Sequence, residues 1–214
     1  MSAEPPRKQA FVRELLGRRD YAIISDIIDP GTKVLDLGCG GGELLEWLAK
    51  NKDVEARGVE IAGEKVRRAI ARGVSAYQGD IDNGLADYPA QAFDYVILSQ
   101  TLQETRHPRK VLAEMLRVGR RAIVAFPNFG HWRVRASMLR RGRAPRTKLF
   151  PYEWYDSPNI HFLTVDDFED LAAEERLVIE RRYFRPGRTD FNQRVFRDDF
   201  RVPDHSGAIQ ATHF

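Results

Sequence analysis

A glycine-rich bend with acidic residues before and after it carries most of the chain's chemical potential. Asp36 comes just before Gly38-Cys39-Gly40-Gly41-Gly42, Glu60 follows 24 positions after Asp36, and Gly79-Asp80-Ile81 comes later still. Glycines let a main chain turn sharply and let a ligand approach the backbone without meeting a Cβ. A helix starting after the bend aims unpaired N–H groups at that ligand. A carboxylate at Asp36 repels a pyrophosphate and suits a ligand carrying an ammonium group. The spacing to Glu60 matches the acid that accepts hydrogen bonds from ribose hydroxyls in nucleotide-binding α/β folds. Asp80 and the amides beside it can meet a purine edge.

Three readings of the bend compete. A dinucleotide site asks for G-x-G-x-x-G with a pyrophosphate over the helix start, whereas these glycines fall as Gly38-x-Gly40-x-Gly42. A P-loop is excluded because no Gly-Lys-Ser/Thr follows. An adenosyl cofactor fits best, because three such features occur together at the ends of successive strands, where open α/β sheets bind ligands. Cys39 is the only cysteine, so neither an intrachain disulfide nor a multi-cysteine zinc site can form, and no metal site is expected. A small side chain in a tight turn is the simple reading of Cys39; a reactive thiol is the alternative.

The elements that must hold these residues can be read from periodicity. Apolar residues from Asp20 to Ile28 fit one helix face, stopped by Asp29-Pro30-Gly31. Strands are predicted at Lys33–Leu37, Arg57–Ile61, Val74–Gln78, Phe93–Ser99 and Arg121–Phe126. Helices are predicted at Glu43–Lys50, Glu64–Arg72 and Pro108–Val118. The run Phe93–Ser99 is continuously apolar, as for a strand buried on both faces. Strands alternating with helices indicate an α/β architecture, a doubly wound, mostly parallel sheet with right-handed crossovers. Asp166–Glu175 reads as a further helix with Thr164 as its N-cap, Leu177–Phe184 as a sixth strand, and Ala208–Phe214 as a final edge strand. Residues 1–18 read as a polar N-terminal arm leading into a short helix, 19–214 as one domain, and 185–214 as a tail without clear period.

At these residues the sequence resembles the class I S-adenosylmethionine-dependent methyltransferases and, within them, is similar to the MetW family of methionine biosynthesis. The resemblance runs from about Arg19 to Phe184. It is carried by VLDLGCGGGELLEWL (34–48), GVEI (58–61), ARGV (71–74), QGDID (78–82) and GLADYP (84–89). FDYVILSQTLQETRHP (93–108), EMLRVGRRAIVAFPNFGHWRVR (114–135) and WYDSPNIHF (154–162) are more specific to the family. It implies a Rossmann-like class I methyltransferase fold binding S-adenosylmethionine or S-adenosylhomocysteine. Asp36 with Gly38, Cys39 and Gly40 would hold the methionine part, Glu60 the ribose, Asp80 and Ile81 would flank the adenine, and Ser99 with Gln100 would line the sulfonium side; Ile61 and Gly79 would be cofactor-binding as well. Gly41 departs from the pattern, which often has Asp there. An obvious final hairpin strand is also missing.

Membership would imply a role beside the homoserine O-acyltransferase of methionine synthesis, with this chain binding and enabling that partner. The competing reading is a free-standing methyltransferase acting on a small-molecule acceptor. The sulfonium is already activated, so alignment of donor and acceptor carries most of the chemistry. No catalytic residue is therefore assigned, although His107, His131, His161 and Glu104 are candidate bases.

Composition narrows the alternatives. The chain has 214 residues, 43% hydrophobic and 30% charged, with a net charge of +3. It shows no apolar run of membrane-spanning length and no apolar segment of signal-peptide length at the N-terminus, so a cytoplasmic protein is expected. From His131 to Lys148 there are seven Arg or Lys residues and no acid. That block suits phosphates, an acidic partner or an anionic substrate, or is a solvated helix face. Nucleic-acid binding is disfavoured, because neither a recognition-helix motif nor an RNA-binding aromatic signature is present. The aromatic segments PNFGHW (127–132) and WYDSPNIHF (154–162) are read as a substrate or partner surface.

Overall fold

The computed structural model describes residues 19–144, 146 and 152–184, together with the backbone of 208–213. The expectations for residues 1–18, for Lys148 and for most of the C-terminal tail lie outside these. The elements are α1 (Arg19–Ile27), β1 (Lys33–Leu37), α2 (Glu43–Lys52), β2 (Glu55–Glu60), α3 (Gly63–Ala71), β3 (Ser75–Gln78), β4 (Phe93–Ser99), α4 (Pro108–Val118), β5 (Gly119–Phe126), α5 (Trp132–Arg141), α6 (Val165–Glu174), β6 (Val178–Phe184) and β7 (Ala208–His213). Single 3-10 turns occupy Ile81–Asn83 and Leu102–Glu104. Most sequence-derived boundaries hold to within two residues.

The strands form one sheet in the order β3-β2-β1-β4-β5-β7-β6. Every pairing is parallel. The order reverses at β1, between β2 and β4, so the crevice for a ligand opens beyond the carboxyl ends of these strands. In β4 the alternation of side chains splits the core between the two faces. Val96 and Leu98 pack with Val111, Leu112 and Met115 of α4 and Phe168 of α6. Tyr95 and Ile97 pack with Ile24 of α1 and Leu44, Leu45 and Leu48 of α2. Helices therefore cover both faces, which is why β4 reads as an unbroken apolar run. Truncating Ile97 to Ala, fully buried here, would cost about 2–5 kcal/mol.

Thr164 caps α6 as anticipated. Its hydroxyl accepts from the Asp167 amide at 3.2 Å, and Asp167 accepts from the Thr164 amide at 2.8 Å, closing a capping box. The last strand corrects an expectation: β7 is not at an edge. It lies between β5 and β6, and the edge strand is β6. A parallel neighbour cannot be reached by a hairpin, so a long connection precedes β7.

Candidate functional site

The site begins where β1 ends. Gly38 and Gly40 take φ values of +78° and +59°, in the left-handed region that glycine enters without penalty. A Cβ on Gly38 would stand 2.6 Å from Thr101 Oγ1, whereas at Gly40 it would meet nothing within 4 Å. Gly38 is thus required by a neighbour, and Gly40 by the backbone turn and an open approach. The turn is pinned to β2: the amides of Gly38 and Cys39 donate to the Val59 carbonyl at 2.8 and 3.1 Å.

Glu60, at the tip of β2, is buried at 5% exposure. Its Oε2 accepts from the Gly40 amide at 3.0 Å and its Oε1 from the Ala62 amide at 3.0 Å. Lys65 Nζ lies 3.9 Å away. A carboxylate offers about four lone-pair positions, so two remain for hydroxyl donors. Beside it Ile61 is 64% exposed, an apolar surface at the rim of the crevice. Asp36 is buried near the end of β1, opposite Ile97 of β4. Burial raises the Cys39 thiol to about 12, and the negative fields of Asp36, Glu60 and Glu43 add to the rise. These carboxylates make the bend electronegative, which suits a cation and repels a pyrophosphate. The Cys39 side chain packs in the core against Gly58, so only its main chain is left to meet a ligand.

The remaining predicted residues line the same edge. The Gly79 amide donates to the Glu60 carbonyl at 3.1 Å, joining the tips of β2 and β3. Asp80 Oδ1 accepts from the Asp82 amide at 3.0 Å and starts the turn that contains Ile81. Its second oxygen remains for a donor such as an exocyclic amine. Gln100 holds φ +57° while its amide donates to the Ala125 carbonyl at 2.7 Å. A non-glycine residue in that region costs about 1–2 kcal/mol, and the pinned backbone of β5 holds it there. The Ser99 hydroxyl donates at 3.0 Å to Oδ2 of Asp20, a buried acid on α1. Taken together, bend, carboxylates and apolar rim fit a nucleoside carrying a positive charge.

Among the candidate bases, the His161 amide donates to the Gln103 carbonyl at 3.0 Å, next to Glu104. His107 precedes α4, and His131 caps α5 by accepting from the Arg133 amide at 3.2 Å. Burial and Arg133 hold His131 below its ordinary range. Glu104 stands near Glu60: burial raises its carboxyl above the usual range, Lys65 opposes that rise and Glu60 reinforces it. No group of three or more His, Cys, Asp or Glu suited to a metal occurs among the described residues. None of the helices described is long and apolar enough to cross a membrane.

Several residues of the edge escaped sequence reasoning. Asp82 accepts from the amides of Arg106, at 2.9 and 3.0 Å, and His107, at 2.9 Å, holding the loop that leads into α4. Its place in QGDID was the only signal. Gln103 is buried at 3% exposure, its amide donates to the Gln100 carbonyl at 2.8 Å, and its own carbonyl accepts from Ile160 at 2.8 Å and His161 at 3.0 Å. Glu43 occupies the space beside Gly41: a Cβ on Gly41 would lie 2.5 Å from Glu43 Oε1. Arg72 holds that carboxylate at 3.1 Å. The loop acid absent at Gly41 thus has a neighbouring carboxylate in its place.

A parallel sheet that reverses at β1, with a glycine bend after β1 and an acid ending β2, is the doubly wound nucleotide-binding architecture, and the form found here is the class I S-adenosylmethionine-dependent methyltransferase fold. Solved structures agree at the level of fold. An S-adenosylmethionine-dependent methyltransferase from Thermotoga maritima superposes with TM-score 0.54 at 18% identity, covering 78% of this chain and 75% of that one. The YcgJ protein from Bacillus subtilis gives 0.55 at 17% identity, covering 75% and 69%. The chain belongs to the MetW family: the family model described as methionine biosynthesis protein MetW matches residues 18–201. It is 36% identical over 203 residues to the bifunctional methionine biosynthesis protein MetXA/MetW of Rhodopirellula baltica, covering 91% of this chain and 32% of that protein. It is 35% identical over 101 residues to ajmaline N-methyltransferase of Rauvolfia serpentina, covering 42% and 34%. The chain therefore spans about a third of the length of these curated relatives.

Proposed function

We propose that this chain binds S-adenosylmethionine or S-adenosylhomocysteine and serves methionine biosynthesis by binding and enabling a homoserine O-acyltransferase in the cytoplasm. The observation that carries the ligand assignment is the buried Glu60, which holds the Gly40 amide at 3.0 Å beside an acidic bend. Asp36 and the main chain of Gly38, Cys39 and Gly40 would hold the methionine portion. Glu60 would accept from the ribose hydroxyls, Ile61 and Ile81 would flank the adenine, and Asp80 would take its amine. Ser99 and Gln100 would border the sulfonium, and the Ser99 hydroxyl, donated to Asp20, ties α1 to that end of the sheet. When bound, the cofactor supplies an activated methyl group; the protein's part is to bind it, orient it and exclude water.

Family membership supports the role in methionine biosynthesis. The relative that unites MetXA and MetW in one bifunctional chain supports the partnership. The test is to assay homoserine acylation by the acyltransferase with and without this chain. Stimulation with co-elution is expected; equal rates and no co-elution would remove the reading.

A second reading, a methyltransferase with a small-molecule acceptor, is favoured by Glu104. Its carboxyl, held above the ordinary range beside Glu60, suits proton abstraction from an acceptor. Labelled methyl transfer into cell extract that disappears in Glu104→Gln would support it, and no labelled product would remove it.

A further inference from the structure

Outside the cofactor edge, the surface is unusual in one region. Eight of the eleven exposed large apolar side chains among the described residues fall between 132 and 162. Trp132 and Leu139 stand on α5; Trp154, Tyr155, Ile160 and Phe162 stand on the segment after it. Leu139 is 89% and Trp154 76% exposed. At roughly 150–250 Å² for each aromatic side chain, the eight together present on the order of 1,000 Å². That total is comparable with one side of a standard protein interface, about 800 Å².

The region has a pocket and a charge. A cleft of about 500 Å³ opens between Phe129, Tyr152, Trp154 and Phe162; Arg143 lines it unmatched by an acid among the described residues of the lining, while Arg146 is ion-paired there with Glu153. It joins the end of α5 to the aromatic segment. Helix α5, which leads to it, carries Arg133, Arg135, Arg140 and Arg141 and no acid. Only Val134 of that helix is buried, so α5 spends almost none of its surface on the core of its own chain. Aromatic and arginine residues around a concave centre are the composition of interface hot spots.

The segment is also held in place. Ile160 and His161 donate to the Gln103 carbonyl, Phe129 donates to the Leu163 carbonyl at 3.1 Å, and the rings of Phe129 and Phe162 meet edge to face at 4.7 Å. A preset surface loses less entropy when it docks.

We infer that this surface, α5 together with residues 152–162, is where the homoserine O-acyltransferase docks, through an acidic face that inserts an apolar side chain into the cleft. The inference rests on the partnership proposed above. The commitment to this occupant follows from the bifunctional relative, in which MetXA and MetW share one chain; the acidic face is the counterpart that a helix carrying four arginines and no acid requires.

The test is a titration of the acyltransferase from the same organism into the full chain by calorimetry, with size-exclusion chromatography alongside. Trp154→Ala and Leu139→Asp are expected to weaken the complex about thirtyfold, as for a hot-spot aromatic. Their melting temperatures and affinity for S-adenosylhomocysteine should stay at wild-type values. Arg140→Glu should weaken the complex and reduce its salt sensitivity. Ile70→Asp, exposed elsewhere on α3, should change nothing. If the wild-type chain forms no complex, the partnership itself fails. If the complex forms and the α5 and Trp154 variants bind as wild type, or convert a dimer of this chain to monomer without weakening the complex, the docking surface is wrong and the partnership stands.

Discussion

Replacing Glu60 by Gln isolates the charge at the tip of β2 while keeping its shape. In the wild type each carboxylate oxygen accepts one main-chain amide, from Gly40 and Ala62, both at 3.0 Å. A glutamine has one oxygen and one NH2 group, so one of these amides faces a donor. A buried N–H left without its acceptor costs about 1–3 kcal/mol, which lowers the melting temperature by roughly 2–4 °C per kcal/mol for a chain of this size. The ligand loses more selectively, because a ribose hydroxyl exchanges a charged acceptor for a neutral one or none. Hydrogen bonds to charged groups contribute about 1.5–3 kcal/mol, so S-adenosylhomocysteine should bind roughly 10- to 150-fold more weakly. Calorimetric titration, with thermal unfolding on the same samples, separates the two losses. A folded Glu60→Gln protein with the wild-type dissociation constant would refute the assignment of Glu60 to the nucleoside.

Other substitutions probe the bend and its supports. Gly42→Ala combines φ +80° with a Cβ that would meet Ala69 Cβ at 2.9 Å and Cα at 3.1 Å; it should lose about 2–4 kcal/mol in denaturant titration. Gly40→Ala meets nothing within 4 Å, so it should cost only about 1–2 kcal/mol of stability while a methyl group at the ligand approach weakens S-adenosylhomocysteine binding at least tenfold. Cys39, buried and with its thiol raised to about 12, should resist iodoacetamide at pH 8 in the folded protein and react only after denaturation, as read by mass spectrometry. The Glu114 carboxyl is lowered from 4.5 to about 2, chiefly by its hydrogen bonds with Arg117. A depressed carboxyl stabilises the fold above its unfolded value, and the gain fades as pH falls from 4.5 towards 2. The stability gap between wild type and Glu114→Gln should therefore be constant above pH 5 and close in acid.

The sheet was legible because its strands obey local rules. Phe93–Ser99 has no polar interruption, and the bend at Gly38–Gly42 marks the passage from strand to helix by composition alone. Glu60 could be found because its distance from Asp36 is set by one strand-helix-strand unit. Contacts between distant segments could not: Asp20 and Ser99 meet across 79 positions, and nothing local to either announces the other. The role of Asp82 is similar, since its partners are main-chain amides that carry no side-chain signature. Helix α5 read as a basic block because its apolar residues do not form a stripe turned to the core. The place of β7 between β5 and β6 was hidden because strand order depends on connections, not on the composition of a six-residue segment.

The join at Gln103 has an evolutionary corollary. Its carbonyl receives two amides of the aromatic segment, and Phe129 and Leu163 add another main-chain link. Bonds made by the backbone survive almost any change of side chain. Position 160, whose side chain is exposed, can therefore drift in size and polarity, tracking whatever it faces, without disturbing the turn at the end of β4. Recognition and scaffold are separable along this stretch of chain, and a new specificity could arise there without rebuilding the crevice.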